Sequence, residues 1–296
     1  MSDKGGDAVR FVMVPKVAHP WYEEVFRGAE RQAVAMSAQL RRPITVAYEA
    51  PERATVADQQ ALLQSIVEPE GSRPAGIMID PVESVAHIPA ISRAVELGIA
   101  VVVFDSPAPE PGITGVGNNF AEQGQIAARR LAQLLDGVGE VAVMQGVPDA
   151  PNHRQRYQAQ VATLAEYPGI TVVDGGADHD DIELAQSQAA QVLQSNPNLR
   201  GYLACDASGP IGVAQAIVAA GRVGQVTAVG MDSIPPIAAA VANGVLESSV
   251  ATIPRMQGAM AVLMLWQASL GLPVPRYVDT GIDVVTADNA QDFLRP

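Results

Sequence analysis

Four short apolar runs in this chain each end in an aspartate, and the four runs form two matched pairs. The first pair ends at Asp80 and Asp105, which are 25 residues apart, and the second ends at Asp206 and Asp232, which are 26 apart. A short apolar run bounded by turn residues indicates a strand that is buried on both faces, as in a parallel sheet. Ligands of open α/β sheets bind just beyond the carboxyl ends of such strands. The pattern therefore predicts two similar lobes, each of which presents carboxylates to a binding cleft.

The composition is that of a globular protein with room for two domains. The chain has 296 residues, of which 48% are hydrophobic and 17% are charged. Its net charge of −13 argues against nucleic acid or an anionic membrane surface as a partner, because few basic groups are present to neutralise phosphates. The most apolar stretch, Ala259–Trp266, is far shorter than the roughly 18–20 residues that span a bilayer.

The first seven residues are polar and lack the apolar core of a signal peptide. Either the protein is cytosolic, or a leader has been removed from a mature form. The single cysteine, Cys205, excludes an internal disulfide and lies within an apolar run, where it is interpreted as a small buried side chain rather than a catalytic thiol.

The predicted strands fall into two sets, with helical segments between them. The strands are expected at Arg10–Val14, Ile44–Glu49, Gly76–Asp80, Ala100–Asp105 and Ile113–Gly117, then at Glu140–Gln145, Ile170–Asp174, Gly201–Asp206, Val226–Asp232 and Glu247–Thr252, with a last strand at Tyr277–Val285. Helices are expected at Trp21–Leu40, Gln123–Leu135, Arg154–Glu166, Ile182–Gln194, Ile211–Ala220 and Arg255–Leu270, and helix ends at Gly98, Gly137, Gly221 and Gly244.

Strands that alternate with helices predict right-handed βαβ units and a parallel sheet in each half. The final helix and strand must return to the lobes, so the chain is expected to cross between them several times and to form a hinge. The expected first lobe comprises residues 1–117 and 253–279, and the expected second lobe comprises residues 119–251 and 281–296.

Several segments, taken in order and spacing, resemble the type I periplasmic sugar-binding proteins, of which the ribose-binding proteins are the best known. They are Val-Pro-Lys-Val-Ala-His-Pro-Trp-Tyr after the first strand, Asp105-Ser106, Asn118-Asn119, the segment 146–154 and Val-Gly-Met-Asp232. The resemblance runs from Val9 to Leu294. It implies an α/β fold of two Rossmann-like lobes joined by a multi-strand hinge. It also implies a monomeric, non-enzymatic receptor in the periplasm that has no cofactor and delivers a solute to the membrane permease of an ABC importer.

A sugar offers paired hydroxyls, so carboxylates and a guanidinium are the expected partners. Asp105 and Asp232 are the leading hydroxyl acceptors, since an ionised carboxylate can accept from two neighbouring hydroxyls. Asp206 is a further candidate, and the alternative for such aspartates is the capping of a following helix. Arg154 matches the ligand-binding arginine of the family, with a surface ion pair as the alternative, while Arg156 is interpreted as a structural or rim residue.

The resemblance also assigns ligand positions at the start of the first helix. Trp21 and Tyr22 stand where the family has stacking aromatics, and Trp21 is favoured as the platform for the apolar face of a sugar. Lys16, His19 and His179 are expected to face the cleft, although lone histidines more often serve as ordinary hydrogen-bonding groups.

Departures from the ribose-type pattern bear on the ligand. Ser106 stands where an arginine is usual, Thr252 where a glutamine is typical, and Asp206 where an asparagine is common. The Pro15-Lys16 and Asp105-Ser106 pairs resemble the rhamnose- and autoinducer-2-binding branch. A deoxy sugar, a polyol or a small furanosyl compound therefore fits as well as a pentose or hexose.

Two other classes of function compete with the receptor. The chain could be the ligand-sensing effector domain of a LacI-type regulator, or a chemoreceptor partner, but its first strand leaves no room for a preceding helix-turn-helix. An enzyme is disfavoured because no nucleophile motif or phosphate-binding loop is present. The four histidines share no metal-ligand spacing, so no metal site is expected.

Overall fold

The computed structural model describes residues 8–108 and 112–294, which form two compact units. The first lobe contains the described residues up to Asn118 together with Pro254–Thr280, and the second contains Asn119–Ile253 together with the described residues from Gly281 onward. The chain therefore passes from one lobe to the other three times. The bounds expected from the sequence extend to residues 1 and 296, which lie outside the described residues, and they stay a prediction.

The elements alternate between strand and helix along most of the chain. The strands are β1 (Val9–Val14), β2 (Ile44–Tyr48), β3 (Gly76–Ile79), β4 (Ala100–Phe104), β5 (Thr114–Gly117), β6 (Val138–Gln145), β7 (Gly169–Ala177), β8 (Leu199–Ala204), β9 (Thr227–Met231), β10 (Ser248–Ala251), β11 (Tyr277–Asp279) and β12 (Asp283–Val285). The helices are α1 (Pro20–Leu40), α2 (Val56–Val67), α3 (Ser84–Glu96), α4 (Phe120–Leu134), α5 (Pro151–Leu164), α6 (Ile182–Ser195), α7 (Ser208–Ala219), α8 (Pro235–Ala242) and α9 (Pro254–Ser269), followed by a 3₁₀ turn at Ala290–Leu294.

Each lobe is built on a six-stranded sheet with the same order of strands. The first sheet runs β11-β5-β4-β3-β1-β2 and is parallel throughout, and the second runs β12-β10-β9-β8-β6-β7 with only β12 antiparallel to its neighbour. The predicted fold of two α/β lobes with parallel sheets is confirmed. Because the carboxyl ends of parallel strands meet at one edge of a sheet, each lobe gathers its strand-end residues there.

The continuous apolar runs that predicted the strands are explained by the two cores. Side chains of β1, β3 and β4 pack against α2 and α3 in the first lobe, and side chains of β6, β8, β9 and β10 pack against α4 in the second. These central strands are covered on both faces, which accounts for their continuous apolar runs. Among the described residues, no helix combines the length and the hydropathy needed to cross a membrane.

The prediction of one last strand over Tyr277–Val285 is wrong. Thr280 and Gly281 interrupt it, and Gly281 has a φ of 85°, which turns the chain. The segment before the turn joins the first sheet beside β5, while the segment after it pairs antiparallel with β10 in the second sheet. One apolar run thus supplies an edge strand to each lobe.

Three helices were not predicted, and prolines obscure two of them. Helix α3 contains Pro89, and α8 is short and begins with Pro235 and Pro236, so the helical period is weak in both. Helix α2 begins at a Thr55 cap whose side chain accepts from the Asp58 N–H. The expected helix ends at Gly98, Gly137, Gly221 and Gly244 are confirmed, since all four have positive φ.

Helices α1 and α9 of the first lobe cross at two glycines. A Cβ on Gly258 would lie 1.9 Å from the Val25 carbonyl oxygen, and a Cβ on Gly28 would lie 2.0 Å from the Arg255 carbonyl oxygen. Backbone is in contact with backbone at this crossing, so neither position has room for a side chain.

We expect Gly258→Ala to destabilise the protein by about 1–3 kcal/mol, since the added methyl group forces the two helices apart. Chemical denaturation measures the change in the free energy of unfolding. Gly71→Ala is the matched control, because nothing lies within 4 Å of a Cβ at Gly71. Equal stability of the two variants would show that the crossing relaxes without cost.

Candidate ligand-binding site

Asp80 is the centre of a buried hydrogen-bond network in the first lobe. It follows β3 and is inaccessible to solvent. The Lys16 Nζ atom lies 2.5 Å from Asp80 Oδ2, and the Tyr22 hydroxyl donates to the same oxygen at 2.7 Å. The Ser106 hydroxyl donates to the other oxygen, Oδ1, at 2.6 Å. Three of the predicted site residues, Lys16, Tyr22 and Ser106, therefore bind Asp80, which was not itself predicted as a site residue.

The electrostatics of this network balance burial against an ion pair. Burial raises the pKa of Asp80, the charge of Lys16 lowers it and the charge of Asp105 raises it, and the resulting pKa is about 7. A carboxyl group with no access to water can stay ionised only if cations and donors surround it. Lys16, Tyr22 and Ser106 meet that need. In this structure Lys16 therefore stabilises the Asp80 carboxylate, and the ligand contact expected of it stays a prediction.

Asp105 and Asp232 occupy equivalent positions in the two lobes. Each directly follows a strand, each has a left-handed backbone with φ of 47° and 69° respectively, and each is buried. Each backbone N–H still donates to the neighbouring strand, Asp105 to Val116 at 2.8 Å and Asp232 to Val250 at 2.9 Å. Residues other than glycine rarely adopt positive φ, and such conformations cluster at functional sites.

One polar side chain holds each of these carboxylates in place. The Gln257 amide donates to Asp105 Oδ1 at 3.1 Å, and the Thr252 hydroxyl donates to Asp232 Oδ1 at 2.5 Å. The same Gln257 nitrogen donates to Asn118 Oδ1 at 2.7 Å. Asp232 and Thr252, both predicted site residues, are thus partners, while Gln257 and Asn118 were not predicted as site residues.

The aromatic residues at the start of α1 are packed into the first lobe. Trp21 and Tyr22 are buried, and their rings meet edge to face with centroids 5.1 Å apart. Tyr22 also packs edge to face on Phe104 at 6.1 Å. The His19 side chain caps the helix, since its Nδ1 accepts from the Trp21 N–H at 3.1 Å. His19 therefore has a structural role, and the ligand contact expected of it stays a prediction.

A second cluster of carboxyl groups lies in the other lobe, around Asp206. Asp206 is buried after β8 and accepts from the backbone N–H of Gly209 at 3.1 Å, as an aspartate at the start of a helix does. One ligand atom each from His153, Asp180 and Asp206 lies within 4.8 Å of the other two. The sequence Asp178-His179-Asp180 after β7 could have indicated this cluster, but only His179 was predicted as a site residue.

The hydrogen bonding of His153 disfavours this residue as a metal ligand. Its Nδ1 accepts a hydrogen bond from the Val147 N–H at 2.9 Å, so in the neutral ring the proton lies on Nε2. Nε2, which is 4.0 Å from Asp180 Oδ1, then has no lone pair to offer a metal. The expected lack of a metal site stays a prediction.

Burial and like charges alter the acidity of the cluster. Burial and, after it, the charge of Asp180 raise the pKa of Asp206 to about 7. Burial also raises the pKa of Asp178 well above its usual value, with the charges of Asp206 and Asp180 adding to the effect. His179, by contrast, is exposed with a φ of 55°, so the structure places its side chain at the surface of the lobe.

The two arginines of α5 have opposite environments. The Arg154 side chain is 47% exposed and donates to Asp149 Oδ1 at 3.2 Å and to nearby loop carbonyls. Arg156 is only 1% exposed, so of its two predicted interpretations the rim residue is excluded and the structural residue agrees with the burial. Its guanidinium donates to Gln123 Oε1 at 2.8 Å and to the Cys205 carbonyl at 3.4 Å, next to Asp206.

The raised pKa of Asp206 predicts how stability depends on pH. Between about pH 4 and pH 7 the folded protein keeps a proton on this carboxyl that the unfolded chain has released, so the unfolding free energy falls as pH rises through that window. We expect Asp206→Asn to lose this contribution and to show a shallower decline in denaturation experiments across the window. Glu183→Gln, which removes an exposed carboxylate of the same lobe, should keep the wild-type slope. A wild-type slope in Asp206→Asn would contradict the assignment.

Comparison with known proteins assigns the chain to a family that agrees with its fold. The family model described as periplasmic binding protein domain matches residues 10–272. The D-allose-binding periplasmic protein of Escherichia coli (strain K12) is 25% identical over 87% of this chain and 83% of its own length. The D-ribose/D-allose-binding protein of Pseudomonas aeruginosa is 27% identical over 71% of this chain and 69% of its own length.

A solved structure agrees over the full length of both chains. The ABC transporter solute binding protein from Burkholderia graminis, in complex with D-arabinose, superposes with a TM-score of 0.89 at 26% identity and covers 100% of each chain. The match of the family model over most of the sequence, on a fold of two α/β lobes, shows that this chain belongs to the periplasmic binding protein family.

Proposed function

We propose that this protein is the extracytoplasmic solute-binding receptor of an ABC importer and that it binds a sugar or polyol. The observation that carries the proposal is the repeated pair Asp105 and Asp232, each held after a strand in a left-handed conformation by one polar partner. The relatives named above bind ribose, allose or arabinose by their descriptions, which supports the same class of solute here.

The two carboxylates suit hydroxyl recognition because they are oriented in advance. Gln257 and Thr252 fix one oxygen of Asp105 and Asp232 respectively, so little side-chain entropy is lost when a ligand binds. Each charge-assisted hydrogen bond from a hydroxyl contributes about 1.5–3 kcal/mol. Trp21 is proposed as the platform for the apolar face of the sugar.

The proposed solutes include a deoxy sugar, a polyol and a small furanosyl compound beside a pentose or hexose, because of the resemblance to the rhamnose- and autoinducer-2-binding branch. Lys16 and Ser106, on which the likeness to that branch rests, both bind Asp80. In that arrangement the Lys16 ammonium and the Ser106 hydroxyl donate to Asp80 rather than to a sugar. We also propose that the protein acts as a monomer in the periplasm and delivers its solute to a membrane permease. In the same proposal the protein catalyses no reaction, and its lobes close on the solute.

We expect Asp232→Asn to weaken binding of the recognised sugar at least tenfold, because an amide replaces the ionised acceptor. Thermal shift against a panel of sugars, deoxy sugars and polyols identifies the sugar, and calorimetry measures the affinity. Glu166→Gln, an exposed carboxylate of the same lobe, should bind as the wild type does. Unchanged affinity in both Asp232→Asn and Asp105→Asn would refute the assignment of the site.

The two arginines of α5 make a second test. The sequence resemblance favours Arg154 as the guanidinium donor, whereas burial beside Asp206 favours Arg156. We expect Arg156→Lys to weaken binding at least tenfold, since lysine lacks the planar fork of donors, and Arg154→Ala to change affinity less than threefold. The reverse result would return the role to Arg154.

A further inference from the structure

The second lobe holds a pair of buried carboxyl groups that the proposed recognition of hydroxyls does not explain. Asp178 and Asp206 follow β7 and β8, the two strands that flank β6 in the sheet, and neither is accessible to solvent beyond 1%. Asp178 Oδ1 accepts from the Asp180 N–H at 2.9 Å. Asp178 Oδ2 is buried and receives no hydrogen bond from the residues that the structure describes, while the carboxyl groups of Asp178 and Asp206 are close enough to share a hydrogen bond when one of them is protonated.

Both carboxyl groups lie against the backbone of Gly209. A Cβ on Gly209 would lie 2.6 Å from the Ala204 Cβ, 2.9 Å from Asp206 Oδ1 and 3.1 Å from Asp178 Oδ2, so only glycine lets the two oxygens come this close to the helix. The two carboxyl oxygens, one from each strand end, therefore face the same small volume beside the first turn of α7.

The charges around this volume are unbalanced. Asp178, Asp180 and Asp206 contribute three carboxyl groups, while the neighbouring bases are His153 and Arg156. The donors of the Arg156 guanidinium reach an amide oxygen and a backbone carbonyl, as described above. Buried carboxyl groups this close cannot all stay ionised unless a proton or another cation lies among them.

In the free protein a proton meets this need. The pKa values of Asp178 and Asp206 are both raised, by burial first and by neighbouring carboxylates second. The other charged and titratable groups that face the pair are Asp180, His153, Cys205, Arg156 and Tyr202. A ligand that brings its own positive charge would replace that proton and would ionise the pair.

An ammonium group fits this volume better than a metal ion does. It carries three N–H donors, and the carboxyl oxygens are acceptors once they are ionised. A metal held by His153, Asp180 and Asp206 would need the Nε2 lone pair of His153, which the hydrogen bond from the Val147 N–H to Nδ1 makes unavailable in the neutral ring.

We propose that the solute carries a protonated amine, as an amino sugar or amino polyol does, and that its ammonium group binds between Asp178 and Asp206. The inference rests on the proposed function and names the chemical class of its ligand. A hydroxyl of the same solute binds Asp232, the other strand-end aspartate of the same lobe.

Calorimetry with matched sets of compounds tests this inference at about pH 7. The sets are D-glucosamine, N-acetyl-D-glucosamine and D-glucose, the same three derivatives of D-galactose, and myo-inositol with a monoamino inositol. We expect the amine of at least one set to bind at least tenfold more tightly than its neutral members. Binding should also release protons, detected as a dependence of the measured heat on the ionisation enthalpy of the buffer.

Variants assign the preference to the pair. Asp178→Asn and Asp206→Asn should each reduce the ratio of the affinity for the amine to the affinity for the neutral compound to less than threefold. Glu183→Gln removes one exposed negative charge from the same lobe and should leave the preference intact. If either asparagine variant fails to fold, the comparison of amine with neutral parent in the wild type still decides.

The outcomes separate this inference from the function on which it rests. Neutral members that bind as tightly as the amines would overturn the inference and leave the receptor function standing. Binding of no compound from these sets or from the broader sugar panel would overturn both. A rise in melting temperature with Mn²⁺ or Zn²⁺ alone, lost in Asp178→Asn, would identify a metal site and overturn the ammonium assignment.

Discussion

A carboxyl group withdrawn from water must find a cation, a set of donors or a proton, and this requirement governs both lobes. The parallel sheets bring strand-end aspartates to one edge, where the following helices and loops bury them. Every such aspartate therefore has to be matched by the residues around it. The identity of those residues decides whether the carboxylate is structural or available to a ligand.

The two lobes meet the requirement differently. In the first lobe, Asp80 is matched by Lys16 and by two hydroxyl donors, so its charge is balanced within the protein. In the second lobe, Asp178 and Asp206 have no lysine beside them, and a proton is retained instead. Two lobes with the same order of strands thus differ in charge at equivalent edges.

Asp105 and Asp232 show where the lobes agree. Each continues the ladder of its strand by one backbone hydrogen bond and then turns the chain through a left-handed residue. Such a conformation costs about 1–3 kcal/mol, and the surrounding structure must hold it in place. The same strained turn at the same point of both lobes orients two carboxylates by backbone geometry rather than by side-chain rotamer alone.

The sequence by itself determined the fold class, most of the strands and the aspartates that follow them, because periodicity and burial are local properties of each run. It also pointed to Lys16 and Ser106, although as ligand contacts rather than as partners of Asp80. Only the tertiary structure decided that Arg156 is buried while Arg154 is exposed, since the packing of the helix determines which of its faces lies against the lobe. It alone divided the last apolar run between two sheets and joined Asp178 to Asp206. These pairings connect residues from separate strands, and no spacing along the chain encodes the distance between two strand ends.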